Sequence, residues 1–82
     1  MKERRRSPRM VVVQRAHVVL PTIRRPMPCT IRNISLHGVL IHLDEQRGLE
    51  GHVSLLMNGT ELRPCHVVRH AGRDIGLSFA SS

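Results

Sequence analysis

The chain has 82 residues, 40% of them hydrophobic, and a formal net charge of +7. This length allows one small domain with a modest core, and the apolar runs are all too short for a membrane-spanning helix. Two cysteines without a CxxC spacing and an N-terminus without a signal-peptide pattern predict a cytoplasmic protein with reduced thiols.

The first nine residues form a basic segment. The stretch MKERRRSPR contains five cations, one acid and a proline, with no hydrophobic period. We therefore predict a flexible arm over residues 1–9 and a folded domain over residues 10–82. The whole chain has twelve arginines and one lysine. Guanidinium groups bind phosphates and base edges in bidentate fashion, which suggests an anionic partner, although a GC-rich coding sequence would favour arginine equally.

Short apolar runs separated by turn residues follow the arm. Their side chains alternate between apolar and polar, as at Val39, Ile41 and Leu43, and no window keeps a helical stripe. Asn58 and Gly59 predict a hairpin, and Pro64 predicts an edge position or a bulge within its strand. We expect five or six short strands forming a small antiparallel barrel or sandwich, with a core of aliphatic residues and two buried cysteines.

The stretch NISLHG, residues 33–38, places small polar residues within a predicted strand. Asn33 and Ser35 share one face of a strand, whereas Ile34 and Leu36 share the other. If the aliphatic pair points inward, the polar pair stands outside, and Gly38 lets another group approach the backbone closely. These positions could receive a ligand, or they could be ordinary exposed residues before a turn.

Two motifs together resemble the PilZ domain family, which consists of receptors for the bacterial second messenger cyclic di-GMP. RRSPR at 5–9 matches RxxxR, NISLHG matches (D/N)xSxxG, and VVRHAGRDIGLSF resembles the closing hairpin of the family. The resemblance implies an all-β fold, a small six-stranded antiparallel β-barrel of Greek-key-like topology. It also implies that Arg5 and Arg9 bind guanine edges and phosphates, while Asn33, Ser35 and Gly38 contact the ligand from the barrel.

The resemblance also carries expectations about stoichiometry and partners. A basic residue at Arg4, directly before RxxxR, tends in this family to accompany an intercalated ligand dimer, so we expect two ligands per chain. Many members continue into a C-terminal helix, whereas this sequence ends at SFASS. That end of the barrel is therefore expected either to be exposed or to be covered by another chain, in a homo-oligomer or with an unidentified effector protein.

Other functional classes receive less support from the sequence. Ser35, His37 and Asp44 provide the residue types of a catalytic triad, but no motif orders them, and we predict no enzyme, cofactor or metal. His66 and His70 lie about 13 Å apart along a strand, which is too far for one ion. The remaining alternatives are a basic barrel that binds single-stranded nucleic acid, although Phe79 is its one aromatic residue, and a PilZ-shaped interaction module without ligand.

Overall fold

The structure, a computed structural model, describes residues 10–22, 25–58 and 61–80. These residues form six strands and no helix. The strands are β1 (Met10–Val19), β2 (Met27–Ile34), β3 (Gly38–Leu43), β4 (His52–Met57), β5 (Glu61–Ala71) and β6 (Asp74–Phe79). All neighbouring pairs are antiparallel, and they close into a barrel in the order β1-β2-β3-β6-β5-β4. The predicted small antiparallel six-stranded barrel is confirmed.

The barrel interior is aliphatic, as the alternating pattern predicts. Each strand turns every second side chain inward, because successive residues of a strand point to opposite faces. The buried residues of the described chain are all hydrophobic, and none is polar or charged. Leu49 comes from the connection between β3 and β4, residues 44–51, and is 5% exposed. Because β3 and β4 are not neighbours, this connection crosses one end of the barrel and Leu49 covers the core there.

Both cysteines lie in this core as free thiols, as predicted. Burial raises the pKa of the Cys29 thiol to about 12, and burial also raises the pKa of Cys65. A neutral thiol avoids the free-energy cost of a charge in an apolar interior. Cys29 and Cys65 therefore act as small hydrophobic residues.

Three strands contain irregularities in their pairing. In β1 the register with β2 shifts between Val11 and Gln14. In β2 the register with β3 shifts across Arg32, and in β5 the register with β6 shifts across Val68. A bulge of this kind inserts one extra residue into a strand, so that two successive side chains can face the same side. The bulges of β2 and β5 shape the surface described below.

Pro64 occupies neither an edge nor a bulge, so that prediction is wrong. The barrel is closed, Pro64 pairs with Ser54 of β4, and the bulge of β5 lies four residues later. The carbonyl of Pro64 accepts a hydrogen bond from the amide of Ala80, just beyond the end of β6. The proline nitrogen faces this same side, where β6 has ended and no ladder hydrogen bond needs a donor.

Candidate functional site

A groove runs across four strands on the outside of the barrel. Its central row consists of Asn33 in β2, Leu40 in β3, Gly76 in β6 and Arg69 in β5, each paired with the next. The groove has a volume of about 490 Å³, and Val39, Val68 and Leu77 complete its lining. Its size lies within the range of small-molecule sites.

The two bulges flank this groove. The extra residue of β2 is Arg32, and the extra residue of β5 is Val68. Ile31 and Val67 pack into the core, whereas Arg32, Val68 and Arg69 are exposed. The regular pair β3 and β6 forms the floor of the groove, and the bulged strands β2 and β5 form its walls.

Gly76 keeps the floor of the groove low. A side-chain carbon at this position would lie 3.2 Å from Cβ of Arg69, which is tight for two carbon atoms. Leu40 next to it is half-buried, and Val68 on the wall is 67% exposed. The groove therefore combines an apolar floor with the guanidinium of Arg69 and the amide of Asn33.

The predicted strand through NISLHG ends earlier than expected. β2 ends at Ile34, and a tight turn follows, in which the Ser35 amide donates to the Gly38 carbonyl at 2.8 Å. The Ser35 hydroxyl accepts hydrogen bonds from the amides of His37 and Gly38, both at 3.3 Å. Ile34 packs against the core as predicted, but Leu36 is 79% exposed. Leu36 and Ile34 therefore do not share an inward face, because strand alternation does not continue through a turn.

Gly38 allows a close approach, and the approaching group belongs to the barrel itself. A side-chain carbon on Gly38 would overlap the carbonyl oxygen of Leu77 in β6. Gly38 pairs with Ser78, and the carbonyl of His37 accepts a hydrogen bond from the amide of Phe79. The missing side chain thus lets β3 and β6 pair next to the turn. This contact places the turn at the end of the groove.

The arginines predicted to bind ligand, Arg4, Arg5 and Arg9, lie outside the described residues. The structure does describe where the strand after them begins. Met10 pairs with Ile34 and Val11 pairs with Asn33, so β1 starts beside the end of β2 and the Ser35 turn. The chain that contains RxxxR therefore enters the barrel next to NISLHG, although the two motifs are about 24 residues apart in the sequence.

Two polar networks occupy the same outer face beyond the groove. Arg15 donates two hydrogen bonds to the Asp44 carboxylate, at 2.7 and 2.9 Å, and one to the Thr30 hydroxyl at 2.7 Å. The hydrogen bond from Arg15 holds the pKa of Asp44 below its usual value. Nδ1 of His42 lies 2.8 Å from the Asp74 carboxylate. Both carboxylates are thus engaged by neighbours, which limits their repulsion of an anion in the groove.

A second, wider depression of about 600 Å³ lies on the other side of Val68. Residues 48–50 and 67–70 line it, and the ring of His70 bonds the Arg47 carbonyl at 3.2 Å on its border. Arg69 borders both depressions. Glu50 places a carboxylate in the wider one, whereas the groove at Asn33 contains no acidic residue among its lining residues. The groove is therefore the better site for an anionic ligand.

The structure bears on the alternative sites as well. Asp44 follows the far end of β3 from Ser35, and Arg15 binds its carboxylate, so the triad residue types are not brought together. The Arg63 guanidinium lies 3.9 Å from the centre of the Phe79 ring, which also packs against the core. This ring is therefore covered and does not offer a stacking platform for a nucleic-acid base.

Of the residues that line the groove, sequence reasoning named Asn33 but not Arg69 or Leu40, and Ser35 and Gly38 lie in the adjacent turn. The sequence indicated Gly76 only as part of the closing hairpin. Strict alternation from Cys65 would turn Arg69 inward, and only the bulge at Val68 brings it to the groove. A bulge without glycine or proline has no clear sequence signal, so Arg69 could not have been assigned from the pattern alone.

Comparison with known proteins agrees with the resemblance noted in the sequence. The sequence model of the PilZ domain matches residues 3–82, which is nearly the whole chain. No match was found among curated proteins. Within the described residues, no helix has the length and apolar character needed to cross a membrane.

Proposed function

Since this chain belongs to the PilZ domain family, whose members are generally non-catalytic receptors for cyclic di-GMP, we propose that it binds cyclic di-GMP in the groove. In this proposal the ligand lies between the RxxxR arm and the row that begins at Asn33. The ligand leaves chemically unchanged, and its binding acts as the signal.

One observation carries the proposal. The start of β1 pairs with the end of β2, which brings the chain of the RxxxR motif to the same end of the barrel as NISLHG. The groove of about 490 Å³ opens from this point, with Asn33 at its near side and Arg69 at its far side. A ligand in the groove would therefore be within reach of both motifs.

The residues of the groove suit the chemistry of a guanine dinucleotide. Leu40 and Gly76 offer a flat apolar floor for the face of a purine ring. A guanidinium group can donate two hydrogen bonds to O6 and N7 of guanine, or bind phosphate oxygens in the same bidentate way. We assign these contacts to Arg5 and Arg9 of the arm and to Arg69 of the groove. The side-chain amide of Asn33 adds a donor and an acceptor at the edge.

In this proposal Ser35 and Gly38 differ from the arginines, because their main role is to fix the turn. The Ser35 hydroxyl already binds two backbone amides of the turn, and Gly38 is needed for the approach of β6. Both residues fix the turn against which the arm would close. Either residue can contact the ligand in addition through its backbone at the groove end, because the Ser35 hydroxyl is already bonded within the turn.

We further propose two ligands per chain, stacked on each other as an intercalated dimer. Two molecules carry four phosphate charges, which need more compensation than the two charges of one molecule. Arg4 supplies an additional cation directly before RxxxR. Replacing Arg4 with alanine should therefore lower the calorimetric stoichiometry from two ligands to one, with tight binding of the first retained.

Closure of the arm would produce the signal. Ordering several residues costs roughly 1 to 2 kcal/mol of backbone entropy for each, so part of the contact energy is offset and micromolar affinity is expected. A ligand shifts an equilibrium only if it binds two states differently, and the open and closed arm supply these states. We propose that a separate effector protein, or a second copy of this chain, recognises the closed state in the cytoplasm.

Titration calorimetry with cyclic di-GMP tests the site. We expect saturable binding by the wild type, loss of binding in Arg9→Ala, and binding weakened about tenfold in Arg69→Ala. Arg47→Ala is the matched control, because this exposed arginine lies outside the groove lining and should bind as the wild type. Equal affinity of the wild type and Arg9→Ala would refute the assignment of the arm.

Two further measurements separate the alternatives. GMP should compete poorly, because it lacks the second guanine and the second phosphate. A gel shift with single-stranded DNA at about 150 mM salt should show little retention, since purely electrostatic binding weakens steeply with salt. Retention that resists salt would favour nucleic-acid binding. A folded wild type that binds neither ligand would favour a protein-interaction module.

A further inference from the structure

Two histidines face each other on strands β4 and β5. His52 pairs directly with His66, and their ring centres are 4.3 Å apart, with the ring planes tilted by 52°. The amide of Val67 donates to the carbonyl of Gly51 at 2.9 Å, so residues 51 and 67 form a hydrogen-bonded pair. The next pair, His52 and His66, is therefore a non-hydrogen-bonded pair, in which opposite side chains come closest.

Both rings are free to bind something else. Within the described ranges, neither ring takes part in a hydrogen bond or an ion pair, and their only recorded partner is each other. His52 is exposed and His66 is half-buried, so the pair is open to solvent. Two imidazoles fixed side by side without other partners are suited to share a metal ion, because neutral imidazole is a common ligand of transition metals.

The spacing of the rings fits chelation of one ion. A metal lies 2.0–2.1 Å from an imidazole nitrogen, which puts the ring centre about 3.1 Å from the metal. Two imidazoles bound at an angle between about 90° and 110° then have their centres about 4.4–5.1 Å apart. The observed 4.3 Å is just below this range. A small rotation of the side chains, without a movement of the strands, would bring two nitrogens onto one ion.

We propose that His52 and His66 form a binding site for a late first-row transition metal ion. In the described part of the chain, no third His, Cys, Asp or Glu completes a metal-binding group here, so water would fill the remaining positions. The site would select imidazole-preferring ions, with Cu²⁺ bound more tightly than Ni²⁺ or Zn²⁺. Mg²⁺ and Ca²⁺, which prefer oxygen ligands, would not bind.

The pair lies apart from the groove and has its own surroundings. Neither histidine lines the groove. His52 borders a small, mainly apolar pocket of about 190 Å³ that is also lined by Val19, Leu20 and Pro21. An apolar border lowers the local dielectric on one side of a metal and can strengthen its coordination by the imidazoles. The proposal of a metal site can therefore be tested independently of the proposed nucleotide site.

Calorimetry with CuCl₂, NiCl₂, ZnCl₂ and MgCl₂ on the untagged full chain at pH 7.5 tests the inference. We expect Cu²⁺ to bind with one ion per chain, and His52→Ala and His66→Ala each to weaken binding about tenfold or more. His17→Ala and His70→Ala are matched controls, since His17 is exposed on β1 and His70 bonds the Arg47 carbonyl. Circular dichroism establishes that each variant is folded.

A second readout covers the case in which a variant does not fold. In the wild type, paramagnetic Cu²⁺ should broaden the ring resonances of His52 and His66 before those of His17 and His70. The inference is supported if both readouts select the pair. It is overturned if the control variants lose as much affinity as the pair variants, if broadening begins at another histidine, or if wild-type affinity is weaker than about 100 µM.

Discussion

The barrel has a bulged side and a regular side, and they present side chains differently. On the bulged side, extra residues in β2 and β5 flank the regular pair β3 and β6, and a groove lies between them. On the regular side, β4 and β5 pair from residue 52 to 57 without a shift, and His52 and His66 face each other. A bulge thus creates a concave surface, whereas unbroken register creates facing pairs. One small fold thus presents two kinds of surface.

The largest change in stability is expected at Gly38, which lets β3 and β6 pair on the bulged side. In Gly38→Ala, the new methyl group would overlap the Leu77 carbonyl, and the two strands must separate. We expect the free energy of unfolding, measured with urea, to fall by about 3 kcal/mol. Gly48→Ala is the matched control, because nothing lies near that position, and it should change stability by less than about 0.5 kcal/mol.

A smaller effect is expected at Gly76, which tests the groove without breaking the barrel. The methyl group of Gly76→Ala would lie 3.2 Å from Cβ of Arg69 and would raise the floor. Cyclic di-GMP binding should weaken about tenfold, while the urea midpoint changes little. Ser78→Ala, two residues later on β6 and outside the groove lining, should bind as the wild type. Unchanged binding by Gly76→Ala would place the ligand elsewhere.

At the end of β6, Arg63 of β5 covers Phe79. Its guanidinium lies 3.9 Å from the ring centre, and cation–π contacts of this kind contribute about 0.5–2 kcal/mol. We expect Arg63→Ala to lower the free energy of unfolding by about 1 kcal/mol, and Arg63→Lys to lose less. The same urea experiment measures both variants. If Arg63→Ala lowers the free energy of unfolding no more than Arg47→Ala does, the contact of Arg63 with Phe79 is not stabilising.

The smallest effect concerns the ion pair of Asp44 with Arg15. Because the pKa of Asp44 is lowered in the folded chain, the ionised carboxylate favours the folded state. This contribution is complete above the ordinary pKa of 3.8 and is lost as the pH falls through the folded pKa. Asp44→Asn should therefore melt slightly below the wild type at pH 7, and the two melting temperatures should converge at acid pH. Glu45→Gln, an exposed neighbour, serves as the control and should show a smaller difference.

Much of the fold followed from the sequence. Alternation at Val39, Ile41 and Leu43 predicted strands with one buried face, because burial of aliphatic side chains dominates their free energy of folding. The motif NISLHG lies where β2 ends and a tight turn begins. Its internal structure was missed, because the Ser35 hydroxyl satisfies turn amides that a strand would pair across the sheet. Arg69 was missed for the related reason that a single extra residue reverses which face a side chain takes.

Barrel closure also limits how other proteins can recognise this domain. Among the described residues each strand has a hydrogen-bonded neighbour on both sides, although β1 pairs with β4 over residues 16–19 only, so a long row of free backbone amides and carbonyls is not offered to an incoming peptide strand. Closure therefore disfavours recognition by sheet extension, and it disfavours edge-to-edge polymerisation in the same way. We expect a protein that responds to this domain to contact mainly its outward-facing side chains, and in our proposal these include the residues around the nucleotide site.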